Sequence, residues 1–266
     1  MSKIIAAVSV AAALALQGGA DAQTKAPEPK PTIVLVHGAF AESSSWDGVI
    51  RKLNKDGYHV IAAANPLRSL TGDAAAISLV VRSVSGPVVL VGHSYGGPVI
   101  TEAANVSTNV TALVYVAGFA PERGESSLSL SGKFPGSTLG AALEQVKSSD
   151  GDVDLFIQRD KFPAQFAADL PPEQARLMAV TQRPVTQGAL TEASGTPSWK
   201  TLPTYMIYGT ADRNIPAEVL KFMAERANAR KTVVVEGASH AVMVSHPDQV
   251  AALIEEAAKP QSWVKR

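Results

Sequence analysis

The 266-residue chain contains no cysteine, which excludes a disulfide framework, a thiol nucleophile and a thiolate metal site. Its fold must rest on its core alone. Neither sign of charge is in excess, with 24 Lys and Arg against 24 Asp and Glu. Without a basic cluster no field gathers a polyanion, so nucleic acid is not an expected partner. Aromatic residues are few, at seven Phe, five Tyr and three Trp, and no internal repeat is visible. Long hydrophobic runs are also missing: the stretch from Ile4 to Leu16 is short for a bilayer span. Lys3, the uncharged run Ile4 to Gly19 and then Ala20-Asp21-Ala22 instead fit a cleavable export signal over residues 1–22. The expectation is an exported protein, periplasmic or extracellular, with no stable membrane association after cleavage. Residues 23–31, with Pro27, Pro29 and Pro31, read as a solvated leader into the first strand.

What is present is an alternation of strand-like and helix-length segments. Strand-like runs occupy 32–37, 59–64, 87–91, 110–117, 204–208 and 231–236, and helical patterns occupy 44–56, 73–83, 97–106 and 247–258. Such alternation implies right-handed crossovers and a mostly parallel sheet with helices on both faces. It lapses between Pro121 and Pro203, where short helical patches at 139–148 and 171–181 are expected and no strand is evident. The predicted organisation is an α/β core over 32–120 and 202–260 with a cap insertion over 121–201. A cap at the carboxyl ends of parallel strands covers the place where such sheets bind ligands.

The most informative junction is Gly92-His93-Ser94-Tyr95-Gly96, directly after Pro87-Val88-Val89-Leu90-Val91. A serine on so tight a strand-to-helix turn leaves no room for side chains two residues away, and the glycines supply that room. A flexible glycine-rich loop is the bland alternative; the strand before it and the apolar helical segment after it favour a nucleophile. A serine hydroxyl is barely ionised at neutral pH, so it needs a base within reach and a third group to orient that base. Of the five histidines, His37, His59 and His93 read as structural or surface imidazoles. His246 precedes Pro247 at a helix start, whereas His240 follows a strand through Gly237-Ala238-Ser239, which makes it the candidate base. Asp212, after Gly209-Thr210-Ala211, is the candidate acid, with a helix cap as its ordinary alternative and Glu122 in reserve. Main-chain N–H groups of Tyr95 and of Ala39, in His37-Gly38-Ala39-Phe40, are the candidate donors for a tetrahedral oxyanion.

Taken together, these motifs resemble the α/β-hydrolase superfamily over roughly residues 32 to 258. The resemblance rests on His37-Gly38-Ala39 with Trp46 downstream, Gly92 to Gly97, Gly209-Thr210-Ala211-Asp212 with Ile215-Pro216, and His240 ahead of Pro247. The layout is similar to the compact branch of plant methylesterases, hydroxynitrile lyases and bacterial carboxylesterases. It implies the α/β-hydrolase fold, Ser94 as nucleophile, His240 as base, Asp212 as orienting acid, an acyl-enzyme, and no metal or organic cofactor. The implied activity is a secreted serine hydrolase of small to medium carboxylic esters or lactones, with a small-molecule ester as partner. Alternatives are hydroxynitrile-lyase or perhydrolase chemistry on the same triad, or a ligand-binding member without catalysis. A lyase would need a cation near the serine, for which Lys133, Lys147, Lys161 and Lys200 are candidates. The sequence departs from the branch at Asn65-Pro66-Leu67-Arg68-Ser69-Leu70, where many relatives carry an Asp-x-x-Gly-x-Gly loop.

Overall fold

The computed structural model describes residues 30–147 and 151–260. The expected export signal, residues 1–22, and residues 23–29 of the leader lie outside the described residues. From Thr32 the chain runs through β1 (Thr32–Val36), α1 (Asp47–Lys55), β2 (Val60–Ala63), α2 (Leu70–Arg82), β3 (Val88–His93), α3 (Gly96–Asn105) and β4 (Val110–Val116). An inserted segment follows, made of α4 (Ser127–Ser131), α5 (Leu139–Ala142), β5 (Leu143–Lys147), β6 (Val153–Ile157), α6 (Phe162–Phe166), α7 (Pro172–Thr181), β7 (Val185–Thr186) and α8 (Gln187–Thr191). Regular alternation resumes with β8 (Thr204–Gly209), α9 (Ala217–Arg226), β9 (Lys231–Val235), α10 (Val242–Ser245) and α11 (Pro247–Ala257).

Six strands form one sheet in the order β2-β1-β3-β4-β8-β9, every neighbouring pair parallel. Burial on both faces explains why the central strands β1 and β3 read as near-continuous Val, Ile and Leu runs. Alternate residues still serve opposite layers. Ile33 and Leu35 pack with Trp46, Val49, Leu53 and Ile254 on one face, while Val34 and Val36 pack with Ile77, Val81, Val99 and Ile100 on the other. Each such side chain, fully buried, contributes about 1.5–3 kcal/mol. β1 has β2 on one side and β3 on the other, so the chain reverses its direction of travel across the sheet there. The loops after β1 and β3 therefore border the crevice in which open α/β sheets bind ligands.

The inserted segment differs from expectation. In place of a helix over 139–148, α5 ends at Ala142 and the chain continues as β5. A three-stranded antiparallel sheet, β5-β6-β7, lies where no strand was evident. Its strands are short, and β5 is mostly exposed and polar, so pairing with Val153–Ile157 decides its conformation more than local propensity does. The divergent loop 65–70 is fastened to this sheet. Leu67 O accepts from Thr186 N–H at 3.1 Å, Arg68 O accepts from the Thr186 hydroxyl at 2.6 Å, and the Arg68 guanidinium meets Asp154 at 2.7 Å.

Candidate active site

Ser94 sits between β3 and α3 with φ of 53°, a left-handed conformation that costs a non-glycine residue about 1–3 kcal/mol. Tight packing enforces it. A Cβ on Gly92 would lie 2.5 Å from Gly96 O, and one on Gly96 would lie 2.6 Å from Val36 O. Gly38 serves the facing loop in the same way: a Cβ there would lie 2.6 Å from both His93 O and Ser94 Cβ. That close approach seats Ala39 beside the serine, and Ala39, Ser94 and Tyr95 all line one cavity of about 200 Å³. Among the described residues, neither the Ala39 nor the Tyr95 main-chain N–H has a hydrogen-bond partner. Buried N–H groups are almost always paired, so two left open on one cavity beside a strained serine form a ready site for a negative oxygen.

Asp212 and His240 arrive from the ends of β8 and β9, and their loops are joined by Ala211 N–H donating to Ala238 O at 3.0 Å. His240 Nδ1 lies 2.6 Å from Asp212 Oδ2, with both side chains fully buried. The other carboxylate oxygen, Oδ1, accepts the main-chain N–H groups of Asn214 at 2.8 Å and Ile215 at 2.9 Å. These bonds close a turn after β8 and are not a cap of α9, whose N-terminal flank is Pro216 with no side-chain cap; Oδ2 is left for His240. Glu122 pairs instead with Lys200 at 2.6 Å. His246 lies at the start of α11, with Nδ1 2.8 Å from the Ser245 hydroxyl. Among the described residues the Ser94 hydroxyl has no hydrogen-bond partner, His240 included; catalytic hydrogen bonds are often long before substrate binds and tighten around it.

Two rings hold His240. His93, the residue before Ser94, packs with its ring centroid 4.7 Å from that of His240 and its Nε2 3.0 Å from His240 O. Phe166 of α6 stands edge-on to His240 at 4.9 Å. The Phe166 carbonyl also accepts Ala241 N–H at 3.1 Å and the Ser239 hydroxyl at 3.2 Å, one residue either side of the histidine. Tyr95 is fixed from its far end, where its hydroxyl donates to Asp73 Oδ2 at 2.8 Å. Burial raises the Asp73 carboxyl above its usual range. No sequence signal pointed to Asp73 or Phe166, because each acts through a contact between segments far apart in the chain.

A model of the alpha/beta hydrolase family matches residues 33–253. The chain belongs to that family. It is 28% identical over 252 residues to an alpha/beta hydrolase of Aspergillus novofumigatus, a match covering 86% of this chain and 97% of that protein. Its identity to an alpha-hydroxynitrile lyase of Arabidopsis thaliana is 24% over 248 residues, covering 84% of this chain and 95% of the lyase. Among solved structures, polyneuridine aldehyde esterase superposes with a TM-score of 0.75 at 19% identity, over 87% of this chain and all of the esterase. That last likeness is one of fold.

In this alpha/beta hydrolase the cavity is lined by Phe119, Leu128, Leu139, Leu155 and Ile215 with neutral polar groups such as Gln187, and among the described residues no charged side chain lines it. Aromatics of the inserted segment lie elsewhere: Phe162 stacks on Phe166, Phe134 packs on Phe222 and Trp199 donates to Pro121 O. None of Lys133, Lys147, Lys161 and Lys200 lines the cavity. Lys133 lies over the Phe222 ring, Lys161 donates to Ala141 O and Lys200 is held by Glu122.

His37 and His93 are structural, and they couple stability to pH. His37 Nδ1 lies 2.9 Å from Gly38 O while its Nε2 accepts Asn65 N–H at 3.0 Å, an arrangement that requires the neutral Nδ1–H tautomer. Burial lowers the pKa of His37 and, with the nearby His240, holds that of His93 well below the usual value. Below about pH 6.5 the unfolded chain binds protons that the folded chain refuses, so stability falls with pH from there, by about 1.4 kcal/mol per pH unit for each imidazole kept neutral. Urea unfolding should show a lower midpoint at pH 5.5 than at pH 7.5. Equal midpoints would mean that neither imidazole is held neutral by the fold.

Proposed function

We propose that this chain is a serine hydrolase of small to medium uncharged carboxylic esters or lactones. The observation that carries this reading is the strained Ser94 on an apolar cavity beside two unpartnered N–H groups, with the buried Asp212–His240 pair packed against His93, the residue before Ser94. Similarity to hydrolases, including an esterase of the same fold, supports hydrolase chemistry.

In the proposed sequence His240 takes the Ser94 proton as the hydroxyl oxygen attacks the ester carbonyl. The carbonyl oxygen gains charge and is met by the N–H groups of Ala39 and Tyr95, each worth about 10²–10³ in turnover. Asp212 keeps Nδ1 protonated and stabilises the imidazolium, which then protonates the leaving alcohol. Water, activated by the same imidazole, releases the acid and restores Ser94. The absence of charge in the lining favours neutral substrates, since an ionic group would lose its hydration without a partner. Lyase chemistry is less well supported, because the lysines available for holding cyanide lie away from the cavity. Export rests on residues 1–22 and belongs to the same reading of a hydrolase acting outside the cytoplasm.

Hydrolysis of p-nitrophenyl esters from acetate upward, with Ser94→Ala beside the unaltered chain, tests the proposal. Turnover should be present and should vanish in the variant. Turnover that survives in Ser94→Ala would remove the serine from the mechanism.

A further inference from the structure

Asn214 follows the acid by two residues, and nearly every polar group it carries is engaged. Its main-chain N–H donates to Asp212 Oδ1 at 2.8 Å, and its carbonyl accepts the Ser137 hydroxyl at 2.9 Å. Its side-chain oxygen accepts from Gln165 Nε2 at 2.8 Å. The network fixes which way both amides face. Gln165 Nε2 also donates to Arg213 O at 2.9 Å, a carbonyl that only a donor can meet, while Gln165 Oε1 accepts the Thr138 hydroxyl at 2.8 Å. The Asn214 atom against Gln165 Nε2 must therefore be the oxygen, which turns the Asn214 NH₂ the other way. That NH₂ has no hydrogen-bond partner among the described residues. Asn214 is 3% exposed and lines the Ser94 cavity, and its Nδ2 is not one of the unpaired polar atoms sealed inside the protein. The small part of the residue that stays open thus includes its one unused polar group. Buried amides are nearly always paired, so a donor left over here fits a partner that the chain itself does not supply. With no charged side chain in the lining among the described residues, a neutral oxygen suits it better than a carboxylate, which would lose its hydration against a single amide.

We propose that the Asn214 amide donates into the Ser94 cavity and selects substrates carrying a second carbonyl beyond the one attacked, so that neutral diesters and keto esters are preferred to their hydrocarbon isosteres. The inference rests on the ester-hydrolase reading for the reacting carbonyl. Held by Asp212 on its main chain and by Gln165 on its side chain, the donor is fixed in direction before substrate arrives, which cuts the ordering cost of binding. An alkyl chain in the same place leaves the donor unpaired.

Two pairs of esters of equal length test this: dimethyl succinate against methyl hexanoate, with the second carbonyl on the acyl side, and ethylene glycol diacetate against pentyl acetate, with it on the alcohol side. In at least one pair, the diester-to-monoester ratio of kcat/KM, followed by pH-stat titration, should fall about tenfold in Asn214→Leu, the upper range for a hydrogen bond between neutral groups. Taking the ratio cancels any loss that the change inflicts on both esters through the Asp212 turn. Asn214→Asp keeps an oxygen for Gln165 and replaces both donors with an acceptor; it should lower the same ratio, and it stands in if the leucine variant does not fold. An unchanged ratio in both pairs, in either folded variant, overturns the proposal. Binding separates this from failure of the hydrolase reading. In a Ser94→Ala background, Asn214→Leu should weaken at least one diester about tenfold relative to its monoester in NMR titration. That loss, with no ester turnover in the unaltered chain, would sink the hydrolase reading alone, whereas no relative loss for either diester overturns the proposal whatever the chemistry.

Discussion

His240→Ala should abolish ester turnover, by about 10⁶ in kcat as for other members of a triad acting as a unit, while His246→Ala should leave most of it. The contrast follows from what each ring touches. His240 is buried against Asp212, His93 and Phe166, at the end of a strand that brings it beside the elbow. His246 is at a helix start, against the Ser245 hydroxyl. Steady-state rates on p-nitrophenyl acetate for the two variants decide the matter, and a severe loss in His246→Ala with turnover kept in His240→Ala would reverse the assignment of the base.

Asp212→Asn should lower turnover by up to about 10⁴ without unfolding the chain. The reason lies in how the carboxylate divides its oxygens. Oδ1 accepts two main-chain N–H groups, from Asn214 and Ile215, so an asparagine would keep its oxygen there and turn its NH₂ towards His240. Nδ1 would then have to accept, placing the imidazole proton on Nε2, where it can no longer receive the serine's. Circular dichroism and the urea midpoint should stay near wild type while kcat drops. A reduction of less than about tenfold would return the acid role to Glu122, although that carboxylate is held by Lys200 in the structure.

The centre of the sheet was legible because β1 and β3 are buried along their whole length and so carry an unmistakable apolar run bounded by glycine or proline. Val88–His93 followed by two glycines in the elbow is the clearest case. The positions of Ser94, Asp212 and His240 at strand ends followed from the same alternation, and the structure brings Asp212 and His240 into direct contact. Residues 143–157 were harder. Glu144, Gln145 and Lys147 carry no strand pattern of their own, and only the partner strand β6 makes them one. Asp73 is illegible for a related reason, since in sequence it is a first-turn acidic residue of α2 and only the folded chain gives it the Tyr95 hydroxyl. Phe162, Phe166, Phe134 and Trp199 of the inserted segment pack on one another and on the core, while Phe40, Tyr95 and Phe119, scattered through the rest of the sequence, line the cavity.

The grip of Phe166 on the histidine loop bears on how this protein could be re-engineered. Its carbonyl fastens the residues on both sides of His240, and its ring packs on the imidazole, yet it belongs to the inserted segment and not to the sheet. That segment is therefore not an interchangeable module that merely selects substrates. Grafting a relative's insertion in its place would alter rate and selectivity together, and a graft lacking an equivalent of Phe166 would need a new brace for the histidine.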